Sequence, residues 1–123
     1  MNEEIVIDGK VYVLKESIKT VIKPKTFKGM IYAIVRTYSA GVFAGYINPK
    51  DTGKEGKIFC FRRLWYWDGA ASLSQLSRDG VSKPENCKFS VVCDEISLTE
   101  IIERLPVTEK ARLNIVEVPE WKK

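Results

Sequence analysis

The chain contains no histidine. That absence removes the Ser-His and Cys-His nucleophile pairs, the imidazole general base and every zinc site that needs an imidazole. Cysteine is scarce as well. Cys60, Cys87 and Cys93 are the three present, with no CxxC spacing, and an odd count of this kind predicts free thiols in a reducing compartment. No apolar run approaches the roughly 18–20 residues that cross a bilayer. The opening MNEEIVIDGK is acidic and has no apolar core of a secretion signal. A soluble, intracellular chain with no membrane partner is therefore expected. There is also no internal repeat, no low-complexity tract and no dense basic block of the kind that grips duplex nucleic acid.

What remains is the composition of one ordinary domain: 123 residues, 45% hydrophobic and 29% charged. Twenty basic residues against sixteen acidic ones leave a net charge of +4, spread along the chain. A lysine-rich solvated surface accounts for that balance. Attraction to a small anion stays open beside it, because it needs only two or three well-placed cations.

Asp8-Gly9-Lys10 lies between IVI and VYVL, a hairpin signal because a tight turn needs positive φ at its centre. Residues 1–29 read as a hairpin appendage and connector, and 30–123 as the ligand-binding body. In the body, 30–38, 41–47, 57–67 and 88–93 read as strands rich in β-branched and aromatic residues. Strict alternation in the third puts Ile58, Cys60, Arg62, Leu64 and Tyr66 on one face and Phe59, Phe61, Arg63, Trp65 and Trp67 on the other. Asp68 is the expected N-cap of a helix over about 69–79, stopped by Gly80. The stretch 94–105 fits helix or strand, and Thr108 is expected to cap a short helix to about 115. The resulting expectation is an α+β fold: a single domain with a curved, mostly antiparallel sheet, one central helix and a short C-terminal helix.

Three clusters carry residue types suited to binding. Arg36, Tyr38 and Ser39 precede a glycine bend, where guanidinium and amide donors suit phosphate and a ring can stack on a base; a surface ion pair for Arg36 is the plainer alternative. Arg62, Arg63, Trp65, Trp67 and Asp68 run into the expected helix start, which favours anions. Core packing is the alternative for the tryptophans, and two consecutive arginines on a strand must point to opposite sides. Asn86 and Phe89 lie in a third, polar loop, for which an ordinary surface turn is the plainer alternative. Asp68, Asp94 and Glu95 are the nearest carboxylates, and no two have the spacing of an acid/base pair. No catalysis, cofactor or metal is expected.

The blocks VRTYSAGVFAGY (35–46), FRRLWYWDGAASLSQL (61–76) and KPENCKF (83–89) resemble a group of small phage and prophage proteins over about residues 30–112. Within that group the chain most resembles the Thoeris anti-defence sponges. The resemblance implies a phage-encoded protein of the infected bacterial cytoplasm that binds cyclic ADP-ribose isomers made by TIR enzymes and withholds them uncleaved. It also implies homodimers or assemblies of dimers, and in some members a second site for cyclic oligonucleotides. The chemistry agrees: a diphosphate calls for cations, and adenine calls for an aromatic face. Single-stranded nucleic-acid binding and inhibition of a host protein through the Trp65–Trp67 surface stand as alternatives.

Overall fold

A computed structural model describes residues 29–122. The hairpin expected around Asp8-Gly9-Lys10 lies outside the described residues. Six strands and two helices follow: β1 (Ile31–Thr37), β2 (Val42–Ile47), β3 (Gly56–Tyr66), α1 (Leu73–Asp79), β4 (Lys88–Phe89), β5 (Cys93–Leu98), β6 (Ile101–Pro106) and α2 (Glu109–Glu117). Every pairing between strands is antiparallel, in the order β4-β3-β2-β1-β6, with β5 also on β3. The long β3 thus has β2 along one edge and shares its other edge between β5 and β4. β5 and β6 lie at opposite ends of this order, yet only Thr99 and Glu100 separate them. The sheet must curl until its ends approach, and three bonds hold the corner: Tyr38 N donates to Glu100 O (2.9 Å), Ile101 N to Lys54 O (2.9 Å) and an Arg104 Nη to Glu55 O (3.2 Å). This is the α+β architecture expected from the sequence.

Curling gives the sheet two apolar faces, which explains why β1 is apolar almost throughout. Ala33, Val35, Phe43, Ile47, Ile58 and Phe61 pack inside the curl with Leu98 and Ile101. Tyr32, Ile34, Ala44, Tyr46 and Leu64 pack on the outer face beneath Leu76, Val81, Ile115 and Val118 from the helical layer.

Strict alternation in β3 does not hold. Ala44 pairs with Arg62 and Tyr46 with Phe59, so β3 carries one extra residue there, and Cys60 takes a positive φ of 48° to accommodate it. The phase reverses across this bulge. Ile58 and Phe61 both enter the inner core, whereas the simple pattern puts them on opposite faces. Gly45 lies against the bulge: a Cβ there would sit 2.5 Å from Ile58 Cγ2 and 2.8 Å from Phe61 Cβ.

Other boundaries differ for local reasons. Asp68 does not cap α1. Ser72 does, its Oγ accepting from Gln75 N at 3.2 Å, and the helix is correspondingly shorter than 69–79. Gly80 ends it as expected, with φ 78°. The strand expected over 88–93 is only the two-residue β4, and the ambiguous 94–105 resolves into most of β5 and β6 with a corner between them. Thr108 caps α2, accepting from Ala111 N at 3.1 Å. The two helices lie side by side, joined by Asn114, which donates to Val81 O (2.9 Å) and accepts from Val81 N (2.8 Å).

Two outcomes follow for the packing. Gly45→Ala should cost about 1–3 kcal/mol by overpacking, read as a lower urea midpoint with an unchanged slope. Tyr46, buried beside Tyr32 with ring centroids 5.0 Å apart, has its pKa pushed up to about 12 by burial, against the pull of Arg112. Unfolded tyrosine titrates near 10, so the folded chain keeps this proton longer, and stability present below pH 10 is lost as pH rises towards 12. Tyr46→Phe should flatten that loss by at most about 3 kcal/mol in urea melts taken across this range.

Candidate functional site

Consecutive arginines on β3 divide between its faces. Arg62 turns toward the helical layer and is buried to 1% exposure. It donates only to backbone carbonyls: Nε to Ser90 O (2.7 Å), Nη1 to Ile115 O (2.8 Å) and Val116 O (3.5 Å), and Nη2 to Phe89 O (3.4 Å) and Pro119 O (3.5 Å). Ile115 and Val116 lie in the last turn of α2, whose carbonyls form the negative end of the helix dipole. The guanidinium also lies 5.5 Å from the ring of fully buried Phe89. Burial lowers the Arg62 pKa, while its carbonyl shell keeps the charge satisfied. Arg62 and Phe89 were expected to hold ligand. They are instead internal residues, because the end of a helix and a strand–loop crossing needed a cation between them.

Arg63 turns the other way. Its Cζ lies 4.7 Å from the Phe43 ring centroid and 5.5 Å from that of Trp65, within range of cation–π attraction. Its Nε is buried with no acceptor, and its side chain has neither a hydrogen-bond acceptor nor a carboxylate partner among the described residues. The backbone beneath is fixed by Ser90: Arg63 N donates to Ser90 Oγ (2.8 Å) and Ser90 N to Arg63 O (2.9 Å). Trp65 is 56% exposed, and Val91 and Val92, the next residues after Ser90, are exposed too. A preset cation beside an open indole face can take an anion and a flat ring together.

The β1–β2 corner behaves differently. Arg36 forms an ion pair with Glu103, the plainer of its two alternatives. Ser39 Oγ donates to Glu100 Oε1 at 2.5 Å, and one amide of the bend, that of Ala40, donates to Thr37 Oγ1 at 2.9 Å. Two carboxylates therefore occupy the positions where phosphate contacts were expected. Tyr38 stays 79% exposed. Phe43 pairs with Arg63 and Arg36 with Val42, so this corner and Trp65 lie at the same end of the sheet.

The remaining expected residues form a third group. Asp68 accepts from Asn86 Nδ2 at 2.9 Å, and the Cys87 thiol lies between Asp68 N (3.4 Å) and Lys83 O (3.5 Å). Trp67 is half-buried against the helix-side core. These contacts stitch two loops together on the side of the helices. Of the ten expected residues, Arg63, Trp65 and Tyr38 stand at one end of the sheet with no side-chain hydrogen bond or ion pair among the described residues, whereas Arg36 and Ser39, exposed at the same end, are held by carboxylates; Phe43 and Ser90 join the three. Neither was foreseen, since only the strand register places them beside Arg63.

Among the described residues no three His, Cys, Asp or Glu side chains are grouped to hold a metal ion, and no helix is long and apolar enough to cross a membrane. A family model described as a domain of unknown function, DUF6948, matches residues 30–115. No curated protein and no solved structure matches the chain.

The two arginines should separate in a stability measurement. Arg62→Met removes the five bonds by which β3 holds the end of α2, Pro119 and the Phe89–Ser90 crossing, and should cost about 3–5 kcal/mol in urea unfolding. Arg63→Ala removes only cation–π contacts and should cost about 1–2 kcal/mol. Equal losses would contradict this division of roles.

Proposed function

The chain belongs to the DUF6948 family, and we propose that it binds and sequesters a cyclic nucleotide immune signal of the cyclic ADP-ribose type without cleaving it. In this reading it is a phage-encoded anti-defence protein that acts in the cytoplasm of the infected bacterium. The observation that carries the reading is the Arg63 guanidinium, held between Phe43 and the exposed Trp65 with no hydrogen-bond or carboxylate partner among the described residues. Such a ligand has a diphosphate and a purine. Arg63 supplies charge-assisted donors for the first, and Trp65 supplies a stacking face for the second.

The arrangement is preorganised. Phe43 and the Ser90 bonds hold Arg63 in place before a ligand arrives, so little ordering cost falls on binding. The acidic corner at Glu100 and Glu103 repels phosphate and directs it toward Arg63 instead. Tyr38, at the same end of the sheet, offers a further ring. A surface of this kind covers one side of a nucleotide. A second copy of the chain covers the other side in our proposal, giving a homodimer with ligand at the interface.

Calorimetry with a panel of cyclic ADP-ribose isomers tests the reading, followed by heat denaturation and mass spectrometry of the released ligand. At least one isomer should bind and be recovered intact. Arg63→Ala should weaken capture by about 1.5–3 kcal/mol and Trp65→Ala by about 1–3 kcal/mol. No heat with any isomer, or undiminished binding in both variants, refutes it.

A further inference from the structure

The exposed end of β3 carries a second pairing of ring and cation that Arg63 does not use. β4 pairs with Leu64 through Phe89 and with Tyr66 through Lys88, so β3 bulges again at Trp65–Tyr66. Alternation breaks at that point, and Tyr66, like Trp65, is about half exposed, at 51%. Phe89 shares the face of Leu64, toward the helices, and strand alternation turns Lys88 to the opposite face, the side of Arg63 and Trp65.

Lys88 Nζ lies 5.3 Å from the ring centroid of Trp121. The backbone under Trp121 is held: its N–H donates to Phe89 O at 2.9 Å, and Glu120 bridges Phe89 in parallel. The indole itself remains 45% exposed. Lys88 has no carboxylate partner among the described residues, while neighbouring Glu120 is paired with Lys122 at 3.4 Å.

Across β3, β4 and the segment after α2, rings and cations therefore lie in a row: Arg63, Trp65, Tyr66, Lys88, Trp121. Adjacent strands are about 4.8 Å apart, and β4 alone lies between β3 and the segment that carries Trp121, so two such spacings separate the strand of Trp65 from that of Trp121. One purine on Trp65 leaves Trp121 and Lys88 unused. We propose that Tyr66, Lys88 and Trp121 form a second stacking position continuous with the first, and that the row takes a single-stranded oligonucleotide of two or more bases.

One base lies on Trp65 with its phosphate at Arg63, and the next lies on Trp121 with its phosphate at Lys88. This rests on the nucleotide reading of Arg63 and Trp65 given above. A single strand suits the row because unpaired bases expose π faces and carry one phosphate between them. In a duplex those faces are already stacked on each other.

The test is calorimetry of the full chain with adenosine monophosphate, the linear adenylate dinucleotide and a linear adenylate hexanucleotide, at two salt concentrations. Affinity should rise from the first ligand to the last. Trp121→Ala keeps its backbone bond to Phe89 and should weaken hexanucleotide binding about 5- to 150-fold, leaving the mononucleotide unchanged. Lys88→Gln should weaken it too and reduce the salt slope by about 0.7, one phosphate's worth. Trp65→Ala should weaken every ligand. Affinity that does not depend on length, or two variants that bind the hexanucleotide as the unaltered chain does, overturns the second position and leaves the first standing. Absence of binding to all three ligands and to cyclic ADP-ribose isomers overturns both.

Discussion

The buried Arg62 guanidinium is the point at which separate parts of this chain meet. Its donors join β3 to the crossing at Phe89 and Ser90, to the end of α2 and to Pro119. A charge in the interior is costly unless its hydrogen bonds are complete, and here backbone carbonyls complete them without a carboxylate. The consequence for the surface is direct. With Arg62 committed to the helix-side face, the next residue on the strand takes the opposite face, and Arg63 stands on Phe43 beside Trp65 with no carboxylate partner among the described residues.

Two bulges in one strand shape what surrounds that charge. The first, at Cys60, brings Ile58 and Phe61 into the inner core together and needs Gly45 opposite it. The second, at Trp65–Tyr66, leaves consecutive aromatic residues open to solvent at the end of the sheet. Bulges re-aim side chains at the cost of local pairing. In β3 one serves the interior and the other the surface.

Charge is placed unevenly around this end of the sheet. Glu100 and Glu103 occupy Ser39 and Arg36 at the corner, whereas among the described residues the Arg63 guanidinium meets rings and no carboxylate. The mild net charge of +4 conceals this contrast, since a focused potential depends on which cations remain unpaired and not on their number.

Much of the frame was legible in the residues. β-branched and aromatic runs mark β1, β2 and β3, Thr108 marks the start of α2, and Gly80 marks the end of α1, because each signal is local to the backbone that uses it. The adjacent arginines also announced that one must face inward. Which of them does so depends on the phase of β3, and an added residue at Cys60 shifts that phase in a way alternation cannot register. The grouping of Phe43, Arg63 and Trp65, and of Lys88 with Trp121, depends on which strands lie side by side. Amino-acid order sets local conformation through steric preference and periodicity. Neighbours across a sheet are chosen by the burial of two faces at once, a property of the whole folded chain.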